Sequence, residues 1–208
     1  MIYESAPLNE PIRQGDIFRN IPRVDLSFAT MAVVDGDGQR ELQWKDALSD
    51  SSPVVAILPV KPVTAIVITQ DCDTVRGEYI CLAEVEDFLT STGQNAPTTP
   101  KKWQSLIKRH TKSSIRWFYL PVATEYGITG KMAADFRIVI RVPRLDLEDY
   151  REDRLCRLSG IAREHFRETL GQFFRRYAYD EWYPLTREEF QAYADESSEA
   201  IPPYPWQE

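Results

Sequence analysis

Histidine is almost missing from this 208-residue chain, which holds only His110 and His165. Cysteine is nearly as scarce, with Cys72, Cys81 and Cys156 at irregular spacing and odd in number. An odd, unevenly spaced set gives no disulfide framework and points to a reducing compartment, the cytoplasm. No C-x-x-C and no H-x-x-x-H occurs, so a zinc site would have to draw its ligands from distant segments, and no metal is expected. No apolar stretch approaches the ~20 residues that span a bilayer, and the longest, 54–69, is broken by Pro59, Lys61 and Pro62. The opening "MIYESAPLNEPIRQGD" has acids and no apolar core, unlike a secretory signal. Repeats and low-complexity tracts are missing too. No G-x-S-x-G elbow, S-x-x-K, P-loop or dinucleotide fingerprint is present, and "DGDGQRE" lacks the helix that a phosphate loop needs, so no cofactor is expected.

What is there suffices for a folded core: 43% hydrophobic and 12% aromatic residues. The net charge of −7 argues against a general nucleic-acid coat, yet it is unevenly spread. From 101 to 121, "KKWQSLIKRHTKSSIRWFYLP" holds six Lys/Arg and no acid, while 180–208 holds eight acids and one arginine. Lys101, Lys102, Lys108, Arg109, Lys112 and Arg116 can neutralise phosphates; helical spacing turns Trp103 inward, and Trp117 suits either a face for a base to stack on or the core. The same residues also suit a solvated basic helix face. The acidic end, whose tail 197–208 is rich in proline and aromatics, is a candidate to mask the island or to dock in a partner's groove.

Periodicity gives the architecture. "GDIFRNIPRVDLSF" alternates loosely and reads as a turn at Gly15-Asp16 into a first strand, and 28–42 as a hairpin with Asp35-Gly36-Asp37-Gly38 at its tip. Residues 54–59, 63–69, 78–85, 115–120 and 136–142 read as strands, and 71–77 as the loop between two of them. Thr99 and Pro100 open a short helix whose Trp103, Leu106, Ile107 and His110 share one face. Residues 1–12 read as an irregular arm. From 146 to 196 the pattern turns helical: Leu158, Ile161, Phe166, Leu170, Phe173, Phe174 and Tyr177 form one stripe, and Thr186 with Glu189 a capping box. The expected fold is α+β: a small SH3-like β-barrel or curled antiparallel sheet over 1–145, with C-terminal helices of the same domain packed on it.

Residues 68–76, "ITQDCDTVR", place a thiol between two carboxylates where a buried strand runs out. Three readings stay open. Cys72 and its neighbours can be structural, a small buried thiol with Asp71 or Asp73 bonding loop amides. Gln14, Gln70, Asp71 and Cys72 can form a ligand or partner site on a rigidly held loop. In the third reading, Asp16 and Asp73 activate water or hold Mg²⁺ while Arg76 neutralises a phosphoryl group. Cys72 itself is poorly placed as a nucleophile, because flanking carboxylates raise a thiol's pKa unless Arg76 offsets them. His110 reads as packing and His165 as a solvated neighbour of charges.

"RQGDIF", "VITQDCDTV", "YLP", "ADFRIVI" and "RLSGIAREHFRETLGQFFRRY" together resemble a bacterial family without an assigned activity, marked by a QGD-I start and an S/T-Q-x-C-D centre. The GDI strand followed by a β-branched run ending in a polar turn is similar, more distantly, to the SH3-like barrels of the PemK and MazF toxins. That resemblance implies a barrel and a toxin or defence setting. The "RPVVVIS" stretch of those toxins does not occur here, so their catalytic residues are not carried over. The expectation is a non-catalytic accessory module that binds a protein partner or nucleic acid, with no membrane role. The alternative is a nuclease or other phosphodiesterase acting at the QDCD loop.

Overall fold

Runs of β-branched and aromatic residues put more of the described residues in strands than in helices. In the computed structural model described here, residues 1–29, 31–35, 38–47, 55–93, 95–97, 99–113, 115–175, 188, 191, 192 and 195 are described. The strands are β1 (Tyr3–Glu4), β2 (Asp16–Val24), β3 (Met31–Asp35), β4 (Gly38–Leu42), β5 (Val55–Ile57), β6 (Val60–Val67), β7 (Tyr79–Asp87), β8 (Trp117–Leu120), β9 (Met132–Pro143) and β10 (Arg154–Leu158). The helices are α1 (Trp44–Ala47), α2 (Asp71–Arg76), α3 (Phe88–Thr92), α4 (Pro100–Ser113), α5 (Arg144–Asp149) and α6 (Gly160–Phe174). The chain divides into two units, Met1–Phe174 and Arg175–Glu208. Within the second, Gln191 Nε2 donates to Asp195 Oδ1 at 2.9 Å, the spacing of one helical turn.

Seven strands form one antiparallel sheet in the order β1-β10-β2-β6-β7-β9-β8, and β4-β3-β5 form a second. No ladder joins β1 to β8, so the expected barrel is not closed; the architecture is an open antiparallel sheet with helices. The two edges approach through side chains instead. Tyr3 of β1 donates its hydroxyl to the Pro121 carbonyl just past β8 at 2.8 Å, and its ring lies 6.1 Å from Tyr126. Three bulges help the sheet to curl. In β2, Phe18 pairs with Ala65 and Ile21 with Val63, leaving one residue extra, and Asn20 takes the left-handed φ of 57°. In β10 the extra residue is Leu155. In β9, Phe136 to Ile138 bulge out between the pairs Val139–Ala83 and Asp135–Glu84.

Each sheet face carries a core. On one, Ile17, Ile66, Ala83, Val85, Ala134, Phe136 and Leu158 pack under α6 through Phe166 and Leu170. Phe166 is fully buried, edge-on to Phe118 at 5.1 Å and near Phe136 at 5.5 Å. On the other, Phe18, Val63, Val67, Leu82, Ile140 and Val142 meet Ile12 of the N-terminal arm and Leu147 of α5. Trp103, Leu106 and Ile107 dock α4 against Phe88, Trp117 and Ala133, and Lys102 N–H reaches Thr99 Oγ1 at 3.3 Å, as the periodicity and cap predict.

Four expectations need correction. Residues 71–77 are not plain loop, because 71–76 form the helix α2. The arm is not wholly irregular, since Tyr3 and Glu4 pair with Leu158 and Arg157. Pro62 does not separate two strands; it faces Pro22 within the β2–β6 ladder, where neither needs an N–H. The stretch 146–196 is not helical throughout, because 154–158 is a strand buried between β1 and β2. Ile161 accordingly leaves the stripe and is 89% exposed. The proposed cap at Thr186 and Glu189 and the tail 197–208 lie outside the described residues, as does the side chain of His110. Among the described residues, no helix is long and apolar enough to cross a membrane.

Candidate functional site

Gly15 sits at the centre of the motif residues. Its φ of 89° suits a residue without Cβ, and an added Cβ would stand 3.3 Å from Leu158 Cβ. Its N–H donates to Val67 O at 2.9 Å and its carbonyl accepts from Leu158 N–H at 3.0 Å, so this turn ties β6 to β10. Gln14 and Asp16, on either side, are both buried.

Asp16 faces two arginines of β10. The bulge at Leu155 puts Arg154 and Arg157 on one face, opposite Phe18 and Asp16 respectively, although side chains three apart on a regular strand point to opposite faces. Asp16 Oδ2 accepts from Arg154 Nη1 (3.0 Å), Arg157 Nη2 (3.2 Å) and the Arg13 N–H (3.1 Å), and Oδ1 accepts from Arg157 Nε. The guanidinium groups continue into the arm. Arg154 donates to the carbonyls of Pro7, Glu10 and Pro11, and Arg157 to Pro11 O at 3.0 Å and to the Glu10 carboxylate at 2.6 Å. Burial pushes the neighbouring Cys156 thiol up to about 12, with the Asp16 charge adding to it.

Gln14 and Asp71 form the second half. Gln14 N–H donates to Asp71 Oδ1 at 2.8 Å, its Nε2 to Ile68 O at 2.7 Å, and its Oε1 accepts from Arg167 Nε at 2.9 Å. Arg167 of α6 also holds Asp71 Oδ2 at 2.5 Å and Glu164 Oε1 at 2.6 Å. The QGD turn, α2 and α6 are thus bolted together by one arginine. Gln70 lends its carbonyl to the Asp73 and Thr74 N–H groups, and its side chain is exposed. On α2, Thr74 faces inward and Cys72, Asp73 and Arg76 face solvent.

The predicted trio of Asp16, Asp73 and Arg76 is therefore not gathered: every contact of Asp16 goes to Arg13, Arg154 or Arg157. Its oxygens are occupied and fully buried, leaving no room for a metal-bound or attacking water. Asp71 bonds the amide of another segment, not its own loop as an Asx-turn would. Among the described residues, no three of His, Cys, Asp and Glu gather in a way that could hold a metal ion.

The basic island is a helix face. Lys101, Lys102, Lys108 and Arg109 are exposed on α4, Lys112 lies in its last turn, and no acid occurs in its 14 residues. Lys131 Nζ stands 3.9 Å over the Trp103 ring at the helix's inner side. Trp117 is not a free stacking face. It is 4% exposed, donates Nε1 to Asp135 at 3.2 Å, and carries the Arg116 guanidinium 3.5 Å over its ring. His165 is exposed and meets the Phe118 ring at 5.5 Å.

Sequence reasoning missed Arg154, Arg157 and Arg167, the partners of the motif carboxylates. A usable signal was "RLCRL", two arginines among apolar residues directly before the helix-starting Ser159-Gly160. No family model matches the chain, and no curated protein and no solved structure is found similar to it.

Proposed function

We propose that the protein is a non-catalytic binding module that contacts nucleic acid through the exposed face of α4, as an accessory of a bacterial multi-protein system of the toxin-like or defence type. One observation carries this reading. A helix anchored by Trp103, Leu106 and Ile107 presents Lys101, Lys102, Lys108 and Arg109 outward with no acid among them, on a chain whose net charge is −7. Clustered cations of this kind bind phosphates by releasing condensed counterions. The bacterial setting rests on the QGD-I and S/T-Q-x-C-D resemblance. Kinship with the SH3-like barrels of PemK and MazF rests on the resemblance of the GDI strand, in a sheet that is open. Cytoplasmic location goes with this reading, since the three cysteines are free thiols.

The motif residues act as internal fasteners in this account: Gln14, Asp16 and Asp71 spend their hydrogen bonds on the fold. A phosphodiesterase would have to work with Asp73 and Arg76 on the exposed side of a six-residue helix. Fluorescence anisotropy with labelled single-stranded RNA and duplex DNA tests the proposal. Binding to the wild type that is lost in Lys101/Lys102/Lys108/Arg109→Ala supports it, and equal binding by both proteins rejects it. Cleavage of either probe that Asp73→Asn abolishes would restore the enzyme reading.

A further inference from the structure

Two strands of the large sheet lose their neighbours partway along. β10 accompanies β2 only as far as Phe18, and β8 accompanies β9 only as far as Asp135. Among the described residues, β2 from Ile21 to Val24 and β9 from Val139 to Pro143 therefore carry one ladder each. The curl of the sheet turns these bare stretches toward one cavity. A groove of about 430 Å³ is lined by Pro22 to Asp25 on one wall and Arg137 to Arg141 on the other.

The phase of the ladders shows which backbone groups face it. Arg144 N–H donates to Glu78 O, which makes Val142–Ile80 and Ile140–Leu82 the hydrogen-bonded pairs of β9 and β7. Val139 and Arg141 then turn their N–H and C=O groups away from β7, toward the bare side. Pro22 and Pro62 lack N–H groups, so the β2–β6 ladder there runs through Ile21–Val63 and Arg23–Lys61, and Val24 turns its backbone groups outward.

Charge selects the occupant. Arg23 is taken up by Glu84 and Asp25, and Arg137 is held through Nε and Nη2 by the buried Asp135. Arg141 stacks on Tyr79, its guanidinium carbon 3.7 Å from the ring centroid. The groove is thus lined by a preoriented arginine, by Arg137 with its Asp135 partner, and by the half-exposed Val24 and Val139.

We infer that this groove receives an extended acidic peptide segment of a partner protein, which adds as a strand to the bare edge of β9 and places its carboxylates on Arg137 and Arg141. Main-chain bonds to Val139 and Arg141 supply affinity, and alternate side chains read the arginines and valines. Five residues of strand span roughly 16 Å, so about five peptide residues make contact.

The test uses a fluorescein-labelled heptapeptide alternating threonine and glutamate, titrated into the full chain. Binding is expected, with Arg141→Glu lowering affinity about tenfold or more, since it replaces an attraction by a repulsion. Arg141 is exposed, and unfolding curves matching the wild type would show that the variant folds. Methylating alternate peptide amides abolishes binding, a lysine-for-glutamate peptide does not bind, and Lys101/Lys102/Lys108/Arg109→Ala binds like wild type. No binding near ~1 mM peptide, or affinity indifferent to Arg141→Glu, overturns the inference. So does a single-stranded oligonucleotide that displaces the peptide and itself needs Arg141, since that would assign the groove to nucleic acid.

Discussion

Asn in place of Asp16 keeps the shape of the side chain and removes its charge. In the native protein this carboxylate is fully buried and accepts from Arg154, Arg157 and the Arg13 amide. Replacing it leaves two nearly buried guanidinium groups, 0% and 3% exposed, facing an amide whose NH₂ is itself a donor. Breaking a buried ion pair by removing one partner costs about 3–5 kcal/mol. Glu10 remains beside Arg157 and the carbonyls of 7–11 remain beside both arginines, so the lower end of that range is expected. For a unit of this size, each kcal/mol lowers the melting temperature by about 2–4 °C, giving a fall of roughly 10 °C. Urea unfolding followed by circular dichroism measures the free-energy loss and a thermal scan the fall in melting temperature, with exposed Asp73→Asn as a control that should stay within about 0.5 kcal/mol. If Asp16→Asn loses less than ~1 kcal/mol or gains stability, as happens when a strained active-site group is removed, the fastener account is wrong.

Two further outcomes follow from buried titratable groups. Burial, opposed by Arg23, holds the Glu84 carboxyl above its ordinary 4.5. The native state then binds its proton more tightly than the unfolded chain, so ionising Glu84 costs stability as the pH rises through that raised value. Glu84→Gln should therefore gain relative to wild type between pH 4 and pH 7 in paired urea titrations; a gap that does not change with pH would refute this. Among the thiols, Cys72 is exposed and Cys156 is buried with its pKa pushed up to about 12. Ellman's reagent at pH 8 should label Cys72 at once and Cys156 only on unfolding, and mass spectrometry assigns the sites; early labelling of Cys156 would contradict its burial.

Local elements were legible because local rules govern them. The cap at Thr99, the proline after it and the Trp103/Leu106/Ile107 face identified α4, and Gly-Asp chemistry identified the β3–β4 hairpin. β10 was not legible. Its five residues carry two arginines, which composition assigns to the surface, and Leu158 falls into phase with the helix that follows. Buried arginine is tolerable there through long-range partners, the Asp16 carboxylate together with Glu10 and the carbonyls of the N-terminal arm. The site shows the same division. Gln14, Asp16 and Asp71 stood out as residues, but Arg167 lies 96 positions from Asp71 and 153 from Gln14, and no periodicity reaches that far. Trp117 misled because a tryptophan among lysines fits both a stacking platform and a core, and Asp135, its actual partner, belongs to another strand.

The salt dependence of binding tests the central claim most directly. Anisotropy of labelled single-stranded RNA or duplex DNA, measured across a range of salt, gives the slope of log affinity against log salt. If the four exposed cations of α4 meet phosphates, the slope is about −3 for single strands or about −3.5 for duplex, and each Lys→Ala on α4 flattens it by about 1. A slope near zero, or one that Lys101→Ala and Lys108→Ala leave unchanged, would contradict the assignment of nucleic-acid contact to this helix.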